Sequence, residues 1–224
     1  MRELAAELFF RLRAGPGATI TWALDRLLDG SRDRSFGIAT SSVNAPDTGS
    51  PDFVHYQPVS YRDLDESLAL ASVSRDDVFL DVGSGMGRAV CVAAMHPFRR
   101  VIGVEISSEL CALARQNVAR IRQKTVCGEV EIVNANALEY SIPRDTTLIF
   151  LFNPLSGAAL RMLLERVGES YREHPRPLRL LFTGTLSSER FAREAMQHRF
   201  LRRIEDRTLS TGARALLYNV QDQA

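Results

Sequence analysis

Apolar positions along the chain change their period twice. Over residues 2–13 and 18–28 they fall at helical spacing, Leu4, Leu8 and Leu12 being followed by Ile20, Leu24, Leu27 and Leu28, so two short helices are expected. From Gly30 to Pro58 the chain turns to Ser, Asp, Gly, Asn and Pro, centred on SSVNAPDTGSPD, a composition that predicts a long loop. Ser60 then stands as an N-cap before YRDLDESLALAS, whose Leu64, Leu68 and Ala71 share one helical face.

After Asp76 the pattern becomes short apolar runs alternating with helical ones. VFLDVG (78–83), RVIGVEI (100–106), VEIVNA (130–135), TLIFLFN (147–153) and LRLLFTG (178–184) read as strands covered on both faces. Helical patterning fills about 87–95, 108–123, 157–172 and 187–197 between and after them. Such a βαβ series predicts an α/β fold, a mostly parallel, doubly wound sheet with helices on both sides. The end departs from the series: FLRRIEDRTL, a turn at STGAR and ALLYNVQ form a hairpin-like pair with no helix between them.

Composition narrows this little further. With 224 residues, 45% of them apolar and 25% charged, the chain can bury one sizeable core and is neither disordered, collagen-like nor a disulfide scaffold. Its charge of 28 minus 27, or +1, creates no global field for nucleic acid or an anionic membrane, so neither is the expected partner. Within that sum Lys124 is the only lysine against 27 arginines. Most surface positions accept either residue, and the bias is read as that of a GC-rich, bacterial genome. Cys91, Cys111 and Cys127 make an odd count in apolar or helical surroundings, which favours reduced thiols. No Cys-x-x-Cys pair or His cluster points to a metal. The start, MRELAAELFFRLRAG, is interrupted by Glu3 and Glu7, so neither a signal peptide nor a spanning helix is expected and a cytoplasmic location is.

The chemistry concentrates in VFLDVGSGMGRAV, where a strand carrying Asp81 runs into Gly83, Gly85 and Gly87 and then directly into a helix. Glycines allow positive φ and close approach of a ligand, and amides at a helix start can hold an anionic group. The third glycine of a dinucleotide fingerprint is missing, because Arg88 stands there, which disfavours NAD. Asp81 would repel a pyrophosphate but can accept from an ammonium-bearing ligand. One βαβ unit later, Glu105 closes the next strand, where a carboxylate can accept both hydroxyls of a ribose. In NANALEY, Asn136 could accept from an adenine amino group and Ala137 could offer its amide, although a plain turn explains Asn136 nearly as well.

Together, DVGSGMG, the Glu105 strand end, NANALEY, a fourth strand ending in FNPLSG and the closing hairpin resemble the class I S-adenosylmethionine-dependent methyltransferase family over roughly residues 60–220. The resemblance implies a Rossmann-like seven-stranded sheet with the last strand antiparallel, residues 61–224 forming the S-adenosylmethionine-binding domain and 1–60 an N-terminal helical cap with a lid loop. By position, Asp81, Gly83, Ser84, Gly85 and Gly87 would line the methionine and ribose of S-adenosyl-L-methionine, Glu105 would hold the ribose hydroxyls and Ile106 would pack on adenine. Asn136 stands where many members carry Asp.

Asn153 and Pro154 fall where similar N-methyltransferases carry [DN]-P-P-[FY], so Asn153 would face the methyl group and accept from the nucleophile. Here Leu155 and Ser156 replace the second proline and the aromatic residue. In HYQPVSY, Tyr56 and Tyr61 are candidates to close over the cofactor carboxylate and His55 is a candidate general base. The expected activity is methylation of a small molecule at nitrogen or oxygen. A protein-lysine or other macromolecular N-methyltransferase is the alternative, and a non-catalytic partner subunit of the same fold the second. Residues 1–77 sum to 8 minus 12, or −4, an acidic front suited to a basic or amine-bearing substrate.

Overall fold

The computed structural model describes residues 27–41, 58–153, 155–185 and 187–222. A helix over 27–36 (α1) precedes Tyr61–Ala71 (α2), and the rest runs β1 (Val78–Val82), α3 (Arg88–Ala94), β2 (Arg100–Glu105), α4 (Ser108–Arg120), β3 (Val130–Asn134), β4 (Leu148–Leu151), α5 (Gly157–Glu173), β5 (Leu178–Gly184), α6 (Ser188–Ala195), β6 (Leu201–Thr208) and β7 (Arg214–Val220). The seven strands form one sheet in the order β3-β2-β1-β4-β5-β7-β6. The first five are parallel, and β7 runs antiparallel between β5 and β6. The hairpin predicted from the change of pattern after residue 199 is therefore the device that reverses the sheet.

Alternation along the central strands divides the core. Val78, Leu80, Val82, Ile102 and Val104 face α5 and α6, together with Leu163, Leu164 and Phe191. Phe79 and Val101 face the other way, into a layer built with Leu64 and Leu68 of α2 and Val90 of α3. Asp81 shares the Phe79 face by the two-residue period, so a carboxyl enters an apolar layer one step before the strand ends. α2 obeys its sequence signal closely: Ser60 accepts from the Asp63 amide at 3.0 Å, and Tyr61, Leu64, Leu68 and Ala71 are buried. In α5, Gly168 faces the Phe200 ring, and a Cβ there would lie 2.7 Å from it, so the absent side chain is what lets the ring seat.

Two expectations are corrected. The loop predicted from Gly30 begins later, because α1 continues through residue 36. Its polar residues are satisfied by distant parts of the chain: Asp29 accepts from the Tyr61 amide, and Arg32 pairs with Asp65. Composition cannot register partners that far away. β3 is not covered on both faces but lies at the sheet edge, where Glu131 and Asn134 are exposed and Val130 and Ile132 only half-buried. At the far side of α4, a 3-10 turn over Arg122–Lys124 carries the lysine, whose ammonium donates to the Ser35 carbonyl at 2.8 Å and sits 4.8 Å from the Phe36 ring centre. No described helix is long and apolar enough to cross a membrane.

Candidate functional site

The strand order reverses direction between β1 and β4, and in open parallel sheets the crevice beyond the carboxyl ends at such a point is where ligands bind. At the end of β1, Gly83, Gly85 and Gly87 all take positive φ, 74°, 54° and 80°, a conformation other residues reach only with strain. Four backbone amides of the turn are satisfied within the fold. Gly83 and Ser84 donate to the Val104 carbonyl at 2.9 and 3.0 Å, Gly85 to Glu105 Oε2 at 2.9 Å and Gly87 to the Ser84 carbonyl at 2.8 Å. These four amides therefore serve the fold, and the groups that stand beside them are carboxyl and hydroxyl oxygens.

Asp81 and Glu105 supply that acidity. Asp81 is 4% exposed and Glu105 6%. Burial, and then the charge of Glu105, push the Asp81 carboxyl up to about 8. Glu105 is held from both sides, Oε2 by Gly85 and Oε1 by the Ser107 amide at 2.9 Å. No donor among the described residues reaches the Asp81 carboxyl, and the buried Ser84 hydroxyl likewise has no partner among them. Ile106 beside them is 39% exposed, an apolar platform next to two carboxyls. Neutral Asp81 is the form this burial favours, so its raised value favours folding below about pH 4 and that contribution is lost as pH rises to about 8. Asp81→Asn is accordingly expected to raise the melting temperature of the ligand-free protein more at pH 8 than at pH 5. An equal margin at both pH values would show that Asp81 is ionised throughout.

Asn134 was not singled out by its residue type, yet its amide donates to the carbonyls of Glu105 and Ile106 at 3.0 and 2.9 Å and ties the ends of β2 and β3 together. Asn136 makes a local turn, accepting from the Leu138 amide and donating to Glu139, each at 3.0 Å. Ala137 packs half-buried beside it. Across the switch point, Asn153 follows β4 with φ of 48°, and its Oδ1 accepts from the Ser187 hydroxyl beyond β5. Tyr61 is not poised over a ligand carboxylate as expected: it is 2% exposed, and its hydroxyl donates to Asp33 Oδ1 at 2.6 Å. His55, Tyr56 and Pro154 lie outside the described residues.

The residue that sequence reasoning used only as a departure from a fingerprint, Arg88, is the busiest side chain near the turn. It is 2% exposed, and its guanidinium donates to Thr40 at 2.7 Å, to Asp29 and the Val59 carbonyl at 2.8 Å and to Ser41 at 2.6 Å. Asp33 stands 3.7 Å away and the Tyr61 ring centre 4.6 Å. Burial opposes ionisation of Asp33, but donors from Tyr61 and Thr40 and the Arg88 charge outweigh it and hold that carboxyl below its ordinary value. One arginine thus fastens α1 and the stretch before α2 to the first turn of α3. Among the described residues no group of His, Cys, Asp and Glu could hold a metal ion.

Comparison with known proteins agrees with this geometry. A family model described as histone methylation protein DOT1 matches residues 53–139, which include the glycine turn and Glu105. A protein-lysine N-methyltransferase of Saccharolobus islandicus (strain REY15A) is 33% identical over 100 residues, 44% of this chain and 60% of the relative's length. Among solved structures, an RNA methyltransferase from Salinibacter ruber in complex with S-adenosyl-L-homocysteine superposes with a TM-score of 0.57 at 23% identity, over 75% of this chain and 96% of that one. The N-methyltransferase NodS from Bradyrhizobium japonicum WM9 also gives 0.57, at 13% identity, over 71% and 94%.

Proposed function

We propose that this chain, which has the class I methyltransferase fold, transfers a methyl group from S-adenosylmethionine to the side-chain amine of lysine in a protein. The observation that carries the cofactor is the buried Asp81 and Glu105 pair at the switch point, beside a turn of three glycines with positive φ. An ammonium group would draw the Asp81 carboxyl toward its ionised form, and a ribose would meet the Glu105 acceptor. The residues fit such a ligand. The Asp81 carboxyl and Ser84 hydroxyl, buried without described partners, would take its amino acid end, Glu105 the ribose hydroxyls and Ile106 the adenine.

A protein acceptor is supported by the family match, and lysine by the name of the curated relative. It also suits this chain's own residues. Leu155 and Ser156 stand where a second proline and an aromatic ring cover planar nucleophiles in similar enzymes, and an aliphatic amine has no planar face to cover. The acidic front of residues 1–77, at −4, complements a basic segment.

When bound, S-adenosylmethionine supplies a methyl carbon made electrophilic by positive sulfur. The lysine nitrogen, with an ordinary pKa of about 10.4, must lose a proton to water before it presents its lone pair. Asn153 Oδ1 can accept a remaining N–H and so aim that lone pair. The nitrogen–carbon bond then forms as the carbon–sulfur bond breaks, and alignment with exclusion of water provides most of the acceleration.

The test is incubation with methyl-labelled S-adenosylmethionine and a cell extract, followed by fractionation. Label is expected in protein, resistant to ribonuclease and recovered as methyl-lysine after acid hydrolysis. Label in RNA or in the small-molecule fraction would overturn the lysine assignment, and a calorimetric titration without S-adenosylhomocysteine binding would overturn the cofactor.

A further inference from the structure

We propose that Ser187 is a positioning residue that fixes the carboxamide of Asn153 for the incoming amine; the inference rests on the methyltransferase reading above. Asn153 and Ser187 come from the carboxyl ends of neighbouring strands, β4 and β5, paired in register through Leu151 and Phe182. The Ser187 hydroxyl donates to Asn153 Oδ1 across 34 residues of sequence. Space for this contact is made by Gly184, where a Cβ would lie 2.8 Å from Asn153 Oδ1, 2.8 Å from Ser187 Oγ and 2.9 Å from the Phe182 ring. Asn153 itself is one of two non-glycine residues with positive φ among the described residues, so its backbone is turned to bring the side chain into this corner.

A carboxamide oxygen has two acceptor directions. One is taken by Ser187, leaving one for an N–H of the substrate. A free carboxamide also rotates, and half a turn would present its NH2, which can donate to the amine and tie up the lone pair that must attack. The restraint on this side chain comes from the segment between β5 and α6, through the Ser187 hydroxyl.

The experiment uses the full chain with Ser187→Ala, Ser187→Thr, Gly184→Ala, Asn153→Ala and the Asn153→Ala/Ser187→Ala double variant. Heat-treated cell protein serves as the acceptor, S-adenosylhomocysteine affinity is measured by calorimetry and folding by thermal unfolding. Ser187→Ala is expected to lower kcat about tenfold with KM and S-adenosylhomocysteine affinity within about twofold of the parent. Threonine, which keeps the hydroxyl, should restore most of the rate, and Gly184→Ala should reproduce the loss by pushing the pair apart. The double variant should be no slower than Asn153→Ala, since the serine acts only through the asparagine. A Ser187→Ala enzyme as fast as the parent overturns the proposal, as does a loss that multiplies with that of Asn153→Ala or that threonine fails to rescue. A parent chain that binds S-adenosylhomocysteine but labels no protein overturns the lysine reading and this proposal with it, whereas a labelling parent with an inert Ser187 overturns the proposal alone.

Discussion

Replacing Arg88 with leucine is expected to lower the unfolding free energy by about 3–5 kcal/mol, because removing one partner of a buried ion pair leaves the other buried and unpaired. Here two carboxylates lose the guanidinium, Asp29 and Asp33, whose side chains are 13% and 7% exposed, although Asp33 keeps its donors from Tyr61 and Thr40. Leucine also abandons the Val59 carbonyl and the hydroxyls of Thr40 and Ser41. Chemical denaturation measures the loss, and hydrogen exchange should show residues 27–41 losing protection ahead of the sheet. Lysine at position 88 keeps the charge but not the fork and should recover only part of the stability. The exposed pair of Arg32 and Asp65, at 35% and 42%, is the internal control. Arg32→Ala should cost no more than about 1 kcal/mol, as surface pairs do. An Arg88→Leu protein within about 1 kcal/mol of the parent would mean that the N-terminal segment does not depend on this anchor.

The second large effect is expected at Glu105. Alanine there strands the amides of Gly85 and Ser107, which loosens the glycine turn, and removes the acceptor proposed for the ribose. Hydrogen bonds to a charged group contribute about 1.5–3 kcal/mol each, so S-adenosylhomocysteine should bind about 100-fold more weakly, measured by calorimetry at a temperature where the variant remains folded. Glutamine retains one acceptor oxygen for the amides and should fall between the two. Affinity within threefold of the parent would remove Glu105 from the site. The charge lost from position 105 also relieves Asp81, whose carboxyl should titrate lower in the alanine variant than in the parent.

What could be read along the chain was whatever depends on neighbours in sequence. The strands at 78, 100, 148 and 178 are apolar runs because both faces are covered, and DVGSGMG announces its turn because three glycines must take positive φ. The N-cap at Ser60 was legible for the same reason, since its partner is the amide of Asp63. What escaped depends on residues far apart. The polar residues Asp29, Arg32 and Asp33 look like loop until Tyr61, Asp65, Arg88 and Thr40 arrive from elsewhere. Val130 and Ile132 look like core, and nothing local says that β3 is the last strand on its side. Ser187 is an ordinary helix-start serine until β4 and β5 lie side by side.

One contact made far from the switch point bears on self-modification. The ammonium of Lys124 is tied to the last turn of α1 through the Ser35 carbonyl and the Phe36 ring, and no other lysine exists in the chain. A catalyst that methylates lysine would therefore carry one internal target, and it stands exposed on the surface. Any methyl-lysine found on this chain reports on a single position, the exposed turn that follows α4.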